Sequence, residues 1–186
     1  MIDILDKIKG LFPAELINTI YEDILWGMDS ETSFGKAIEA GFLSLVEACD
    51  HKQLYEYHMM IRKYGYKGPS LGKLIAENLV YVLKLNKPDI LDGFKNTIDT
   101  MLNKGTYTLY DPLRVIVNLC LSKEEKSVSA YLDLLKETFK KDLTYRQCQN
   151  LSYSLPRAVN NFSPSKRIFQ IKELTRIIKE DHELTD

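Results

Sequence analysis

The spacing of apolar residues constrains the fold of this chain more than any other feature, because they recur every three or four positions along nearly all of its length. This period places apolar side chains on one stripe of an α-helix, whereas a half-buried strand requires strict alternation. No alternating run continues for long. The sequence therefore predicts an all-α protein with almost no strand.

Residues that favour helix ends mark the predicted boundaries. Asp50 is a predicted N-cap, Thr144 is predicted to begin a helix, and Asp111 and Ser163 are predicted caps directly before a proline. Four prolines stand where a first helical turn would begin: Pro69, Pro88, Pro112 and Pro164. Glycine at 65, 68 and 105 is predicted to end two helices. Helix starts are thus predicted near positions 13, 33, 50, 69, 88, 111, 125, 144 and 164.

Alternate predicted starts lie about 37 residues apart, which is the period of a helix pair. The sequence predicts stacked antiparallel helix pairs, as in a HEAT- or TPR-like α-solenoid, forming a single repeat-like domain over residues 1–186. An irregular helical bundle is the alternative. The solenoid is favoured because no helix is apolar on all sides, as a central bundle helix would be.

Two further structural predictions concern the interior. Pro156 falls inside a helical run, so a kink or break is predicted near Ser152. The predicted core consists of large apolar side chains on the helical stripes: Leu54, Ile75, Leu79, Leu91, Phe94, Ile98, Leu119, Leu135, Phe139, Leu151, Leu155 and Ile171.

Composition indicates a soluble cytoplasmic protein. Of the 186 residues, 45% are apolar and 27% are charged, which is typical of globular domains. No apolar stretch approaches the roughly 18 residues of a membrane span, and the first residues do not resemble a secretory signal. The odd set Cys49, Cys120 and Cys148 indicates reduced core thiols, as in a cytosol.

Motifs for catalysis are missing from the sequence. It contains no phosphate-binding loop, dinucleotide fingerprint, nucleophile elbow or HExxH motif, so we expect no enzyme, cofactor or small-molecule substrate. His51 and His58 lie about 10 Å apart on a helix, too far to share a metal ion. The acidic pairs Glu22–Asp23 and Glu124–Glu125 are interpreted as solvated charges.

Charge is distributed unevenly along the chain. Residues 1–50 carry a net charge of −7 and residues 140–179 a net charge of +7. We expect the basic end to bind an acidic protein surface, through Arg157, Lys166, Arg167, Lys172 and Arg176. The alternative is nucleic-acid binding by the same C-terminal face, where Tyr145, Tyr153 and Phe169 are interleaved. The pI of about 6.3 argues against that alternative.

A tyrosine-rich segment supplies a second candidate interface. Tyr64 and Tyr66 are predicted to lie in the loop after the helix that begins near Asp50. Tyrosine is enriched at protein interfaces because it offers a large contact area with a polar tip. Both tyrosines are therefore predicted partner-binding residues.

The last third of the chain carries a family resemblance, mainly in residues 130–181. It includes Leu143-Thr144-Tyr145-Arg146-Gln147-Cys148, then Leu155-Pro156-Arg157-Ala158-Val159, then Glu173-Leu174-Thr175-Arg176-Ile177-Ile178. This segment resembles the helical region that precedes the von Willebrand factor A domain in large proteins that partner MoxR-type AAA+ ATPases, of the nitric oxide reductase activation and rubisco activation type.

The resemblance implies an N-terminal module of a longer protein, with a scaffold role in an AAA+-linked remodelling or cofactor-insertion system. It implies no metal ligand in this chain, because the DxSxS motif of the later domain does not occur. Arg146 departs from the small polar residue that the family has at this place. The expected partner is accordingly a protein, either an acidic surface or an AAA+ ATPase complex.

Overall fold

The computed structural model describes residues 12–105 and 109–180, and nine α-helices account for 83% of this part of the chain. The helices are α1 (Ala14–Ser30), α2 (Thr32–Val46), α3 (His51–Gly65), α4 (Pro69–Lys84), α5 (Pro88–Asn103), α6 (Tyr110–Leu121), α7 (Glu125–Lys140), α8 (Tyr145–Asn161) and α9 (Arg167–Glu180). The all-α prediction is confirmed, and each predicted start lies within three residues of an observed one.

The predicted cap at Asp50 and the predicted helix start at Thr144 are confirmed. The Asp50 carboxylate accepts a hydrogen bond from the Gln53 backbone N–H at 2.9 Å, and the Gln53 side chain accepts one from the Asp50 N–H. Thr144 and Gln147 form the same reciprocal capping box at α8. These bonds satisfy N–H groups that have no partner within the first helical turn.

The other two predicted caps are wrong. Asp111 lies inside α6, whose N-cap is Leu109, because the helix begins one residue before the Asp-Pro pair. Ser163 lies in a turn that precedes α9, where its carbonyl accepts a hydrogen bond from the Lys166 N–H at 2.9 Å.

The predicted break near Ser152 does not occur, since α8 runs continuously from Tyr145 to Asn161 with Pro156 inside it. Pro156 is buried, and the Ser152 hydroxyl donates to the Gln149 carbonyl at 2.7 Å. The helix is therefore unbroken at Pro156, and the proline ring is buried.

Contacts group the helices into two compact units, Met1–Asn86 and Lys87–Asp186. In the first unit, α2 packs against α1 and α4, and α3 packs against α4. The buried Tyr57 hydroxyl donates to the Ala76 carbonyl at 3.1 Å. Burial raises the pKa of this hydroxyl, and Asp23 raises it further.

In the second unit, α7 packs against α5 and α9, and α6 packs against α7 and α8. Helices two apart in the chain are thus direct neighbours, α5 with α7, α7 with α9, and α6 with α8. A solenoid and a single domain over the whole chain stay predictions.

Ten of the twelve predicted core residues are buried. Leu91 and Leu151 are only half-buried, because each lies one position from its helix's buried stripe. In α8 that stripe is Cys148, Ser152, Leu155 and Val159. Cys120 is also buried, whereas Cys49 is half-buried.

Within the described ranges, none of the helices has both the length and the apolar character needed to cross a bilayer.

Candidate functional site

The five predicted basic residues lie on separate parts of the second unit. Lys172 and Arg176 line a groove between α7 and α9, whereas Arg157 is exposed on α8. Lys166 is exposed in the turn before α9, and Arg167 is the first residue of that helix. Basic residues that are close together in the sequence therefore lie in several distinct environments in the structure.

The α7–α9 groove has a volume of about 590 Å³. Its lining residues recur at helical spacing on the two helices: Lys126, Ser129, Ala130 and Asp133 on α7, and Ile168, Lys172, Thr175, Arg176, Lys179 and Glu180 on α9. Four basic side chains, two carboxylates and a small apolar strip therefore line the groove. The groove carries net positive charge.

Ion pairing within the groove is confined largely to α9. The Arg176 guanidinium binds both oxygens of Glu173, at 2.6 and 3.1 Å, and also donates to Glu180. The hydrogen bond with Glu173 raises the pKa of Arg176 and lowers that of Glu173. Lys126 and Lys172 form no ion pair with any residue that the structure describes, so their ammonium groups are available to a ligand.

Arg167 is engaged inside the unit. Its guanidinium donates to Glu124 Oε1 at 2.5 Å and to the Phe162 carbonyl at 3.3 Å, and its side chain is only 15% exposed. Glu124 directly precedes α7, so this ion pair ties the starts of α7 and α9 together. The interpretation of Glu124 as a solvated charge is corrected accordingly.

The two candidate tyrosines differ completely in exposure. Tyr64 lies within α3 and is fully buried, so its prediction as a loop residue and contact residue is wrong. Tyr66 directly follows α3 and is 72% exposed, with its ring 5.1 Å from that of Trp26. Helix α3 runs to Gly65, so Tyr64 lies on the core stripe of Leu54, Tyr57 and Ile61.

A buried polar cluster in the first unit was not predicted from the sequence. Asp23 is fully buried on α1, where its carboxylate accepts from His58 Nδ1 at 2.5 Å and from Arg62 Nε. The Arg62 guanidinium lies 4.8 Å from the centre of the Trp26 ring. Burial lowers the pKa of Arg62, but the charge of Asp23 and the hydrogen bonds with Asp23 and Tyr66 together raise it by more.

The interpretation of Asp23 as a solvated charge is therefore wrong. Both of its oxygens are occupied by donors from α3, so the cluster joins α1 to α3. A sequence signal for this burial exists, because Asp23 falls on the apolar stripe of Leu16, Ile20, Ile24 and Gly27.

The histidines do not form a metal site in the described part of the chain, where no group of three or more His, Cys, Asp or Glu side chains is placed to hold an ion. His51 packs near Phe12, with ring centres 6.4 Å apart, while His58 is bonded to Asp23.

Comparison of the chain with models of protein families, with curated proteins and with solved structures found no match.

Proposed function

We propose that this chain is a non-enzymatic, protein-binding helical scaffold whose α7–α9 groove binds an acidic segment of a partner protein. The observation that carries the proposal is that Lys126 and Lys172, on opposite walls of one groove, have ammonium groups with no ion-pair partner among the described residues. Opposite charges across an interface steer association and select the partner.

The groove also offers contacts that are not ionic. Ala130 and Ile168 supply apolar surface between the two rows of charge. The aliphatic stems of Lys126 and Lys172 add to this apolar surface while their heads stay in water. A segment that alternates acidic and apolar side chains matches this combination.

The test is binding of a fluorescein-labelled 14-residue peptide of Glu and Leu, followed by fluorescence anisotropy at low and physiological salt. Reversal of both lysines, Lys126→Glu with Lys172→Glu, is expected to weaken binding about tenfold and to reduce its salt dependence. Both side chains are exposed, so the unfolding midpoint is expected to stay close to that of the wild type.

The matched control reverses the same amount of charge on another helix, with Arg146→Glu and Arg157→Glu on α8. These residues do not line the groove, and the control is expected to bind the peptide nearly as the wild type does. Equal losses in both double variants, or unchanged binding in the groove variant, would refute the groove as the binding site. Arg167 is unsuitable for reversal because it is bonded to Glu124.

The setting that the family resemblance implies is part of this proposal. We propose that the whole protein acts in the cytoplasm with a MoxR-type AAA+ ATPase, as a HEAT-like stack of helix pairs. The free thiols and the packing of α5 with α7 and of α7 with α9 support this setting. Co-purification of the ATPase with the whole wild-type protein, and its loss with the groove variant, is the expected result. Undiminished co-purification with the groove variant would place the ATPase contact elsewhere.

A further inference from the structure

A second surface of the Lys87–Asp186 unit contains the arginines that have no acidic partner among the residues that the structure describes. The chain contains six arginines, and three of them form ion pairs: Arg62 with Asp23, Arg167 with Glu124, and Arg176 with Glu173 and Glu180. The other three, Arg114, Arg146 and Arg157, are exposed and form no ion pair with residues in the described ranges. All three lie on α6 or α8.

The two helices are neighbours, and their exposed stripes lie on the side away from the core. The buried stripe of α6 contains Leu113, Ile116 and Cys120, and that of α8 contains Cys148, Leu155 and Val159. Their exposed stripes hold Tyr110, Arg114 and Asn118 on α6, and Arg146, Asn150, Tyr153, Arg157 and Asn160 on α8. We call these eight residues the α6–α8 face.

The spacing of the exposed residues in the sequence places those of each helix in one row along that helix. The α8 residues follow one another at intervals of three or four positions, which keeps them on one side of the helix. Arg146 and Arg157 are separated by about 16 Å along the axis. The axes of packed helices lie about 8–10 Å apart, so we infer that the exposed α6 residues form a second row beside those of α8.

The chemistry of the face is cationic, aromatic and amide, with no exposed carboxylate. Helix α8 contains no acidic residue, and the single acidic residue of α6, Asp111, is half-buried. Tyr110 and Tyr153 present exposed rings, and the Arg114 guanidinium lies 6.0 Å from the centre of the Tyr110 ring. This combination differs from the lysine-lined groove between α7 and α9.

We propose that the α6–α8 face binds single-stranded nucleic acid. Arginine guanidinium groups are suited to phosphate because their planar donors match two of its oxygens. Tyrosine rings exposed beside them provide stacking surfaces for bases of any sequence. The exposed amides of Asn118 and Asn150 supply donors and acceptors for base edges.

A single strand fits this face better than an acidic peptide does. Exposed aromatic rings can stack on unpaired bases, and carboxamides can bind base edges through both donors and acceptors, whereas a carboxylate offers neither a ring nor a donor. The arginines of the face meet no competing carboxylate within it, so a polyanion encounters no local repulsion.

Fluorescence anisotropy of a labelled 12-nucleotide oligo(dT) tests the proposal with the full chain. Three arginine–phosphate contacts predict that the logarithm of the binding constant falls with the logarithm of salt concentration with a slope of about −2. The double variant Arg146→Gln with Arg157→Gln is expected to bind about tenfold more weakly at low salt, with a slope of about −0.7. Arg114→Gln tests the second row independently and is expected to reduce the slope magnitude by about 0.7.

Stacking is tested separately from charge. Tyr153→Ala is expected to weaken binding severalfold with the salt slope unchanged, and Tyr153→Phe is expected to retain binding because the ring is kept. Circular dichroism and the unfolding midpoint of each variant verify that the helices are intact.

The groove variant Lys126→Gln with Lys172→Gln removes the same amount of charge, is therefore the matched control, and is expected to bind oligo(dT) nearly as the wild type does. A wild-type salt slope near zero, or equal losses in the groove and α8 variants, would overturn the proposal. The proposal would also be overturned if the α8 double variant lost binding to the acidic peptide rather than to the oligonucleotide, since the α6–α8 face would then bind protein. The two proposals fail independently because each uses its own probe.

Discussion

At Asp23, a single buried carboxylate connects two helices of the Met1–Asn86 unit. Removal of the carboxylate by Asp23→Ala leaves the His58 and Arg62 side chains, which are only 15% and 25% exposed, without their acceptor. We expect a loss of about 3 kcal/mol in the free energy of unfolding, because breaking a buried ion pair leaves the partner charge uncompensated. Urea denaturation followed by circular dichroism measures this loss in the free energy of unfolding.

The adjacent acid provides the control for that substitution. Glu22 is exposed, so Glu22→Ala is expected to change the free energy of unfolding by less than about 0.5 kcal/mol. If Asp23→Ala were as mild as Glu22→Ala, the buried position of Asp23 between α1 and α3 would be contradicted.

The three cysteines are expected to differ in reactivity toward a thiol reagent. Burial raises the pKa of Cys120 to about 12, so almost none of this thiol is ionised at pH 8. Cys148 is fully buried, and Cys49 is half-buried with a pKa raised by burial. We expect a disulfide-exchange reagent at pH 8 to modify Cys49 slowly in the folded protein, and all three thiols in denaturant. Rapid modification of three thiols without denaturant is the contrary outcome.

Helix α8 begins at the reciprocal capping box that Thr144 and Gln147 form. The Thr144 hydroxyl accepts from the Gln147 N–H, and Thr144→Ala is expected to reduce the free energy of unfolding by about 1 kcal/mol. Thr144→Ser keeps the acceptor and is expected to retain most of that stability. Ser154→Ala, at an exposed position of the same helix, serves as the control in chemical denaturation. A cost for Ser154→Ala equal to that for Thr144→Ala would exclude a capping effect.

The helices were predictable from the sequence because their signals are local. Capping residues such as Asp50 and Thr144, and prolines such as Pro69 and Pro88, act within one helical turn of themselves. The wrong predictions concern positions where packing between helices determines the local structure. Pro156 lies within α8 as a buried residue, and Tyr64 lies on the core stripe of α3.

On the scale of the whole molecule, the candidate surfaces were only partly predictable, because charge along the sequence does not reveal pairing in space. Residues 140–179 are strongly basic, but Arg167 is neutralised by Glu124, which is 43 positions away. Asp23 meets His58 and Arg62 across 35 and 39 positions. The separation of the α7–α9 groove from the α6–α8 face likewise depends on which helices pack together.

That packing leads to a prediction for the C-terminal unit by itself. Both proposed binding surfaces are built from α6 to α9, all within Lys87–Asp186, and this unit has its own buried side chains, including Phe94, Leu135 and Phe139. A fragment of residues 87–186 is therefore expected to be helical, to unfold cooperatively, and to bind the acidic peptide and oligo(dT) within about twofold of the full chain, corresponding to about 0.4 kcal/mol. Circular dichroism, urea denaturation and anisotropy measure these properties. A fragment that unfolds without a cooperative transition would show that the first 86 residues are needed to stabilise this core, whereas a folded fragment with neither affinity would contradict the assignment of both surfaces to α6–α9.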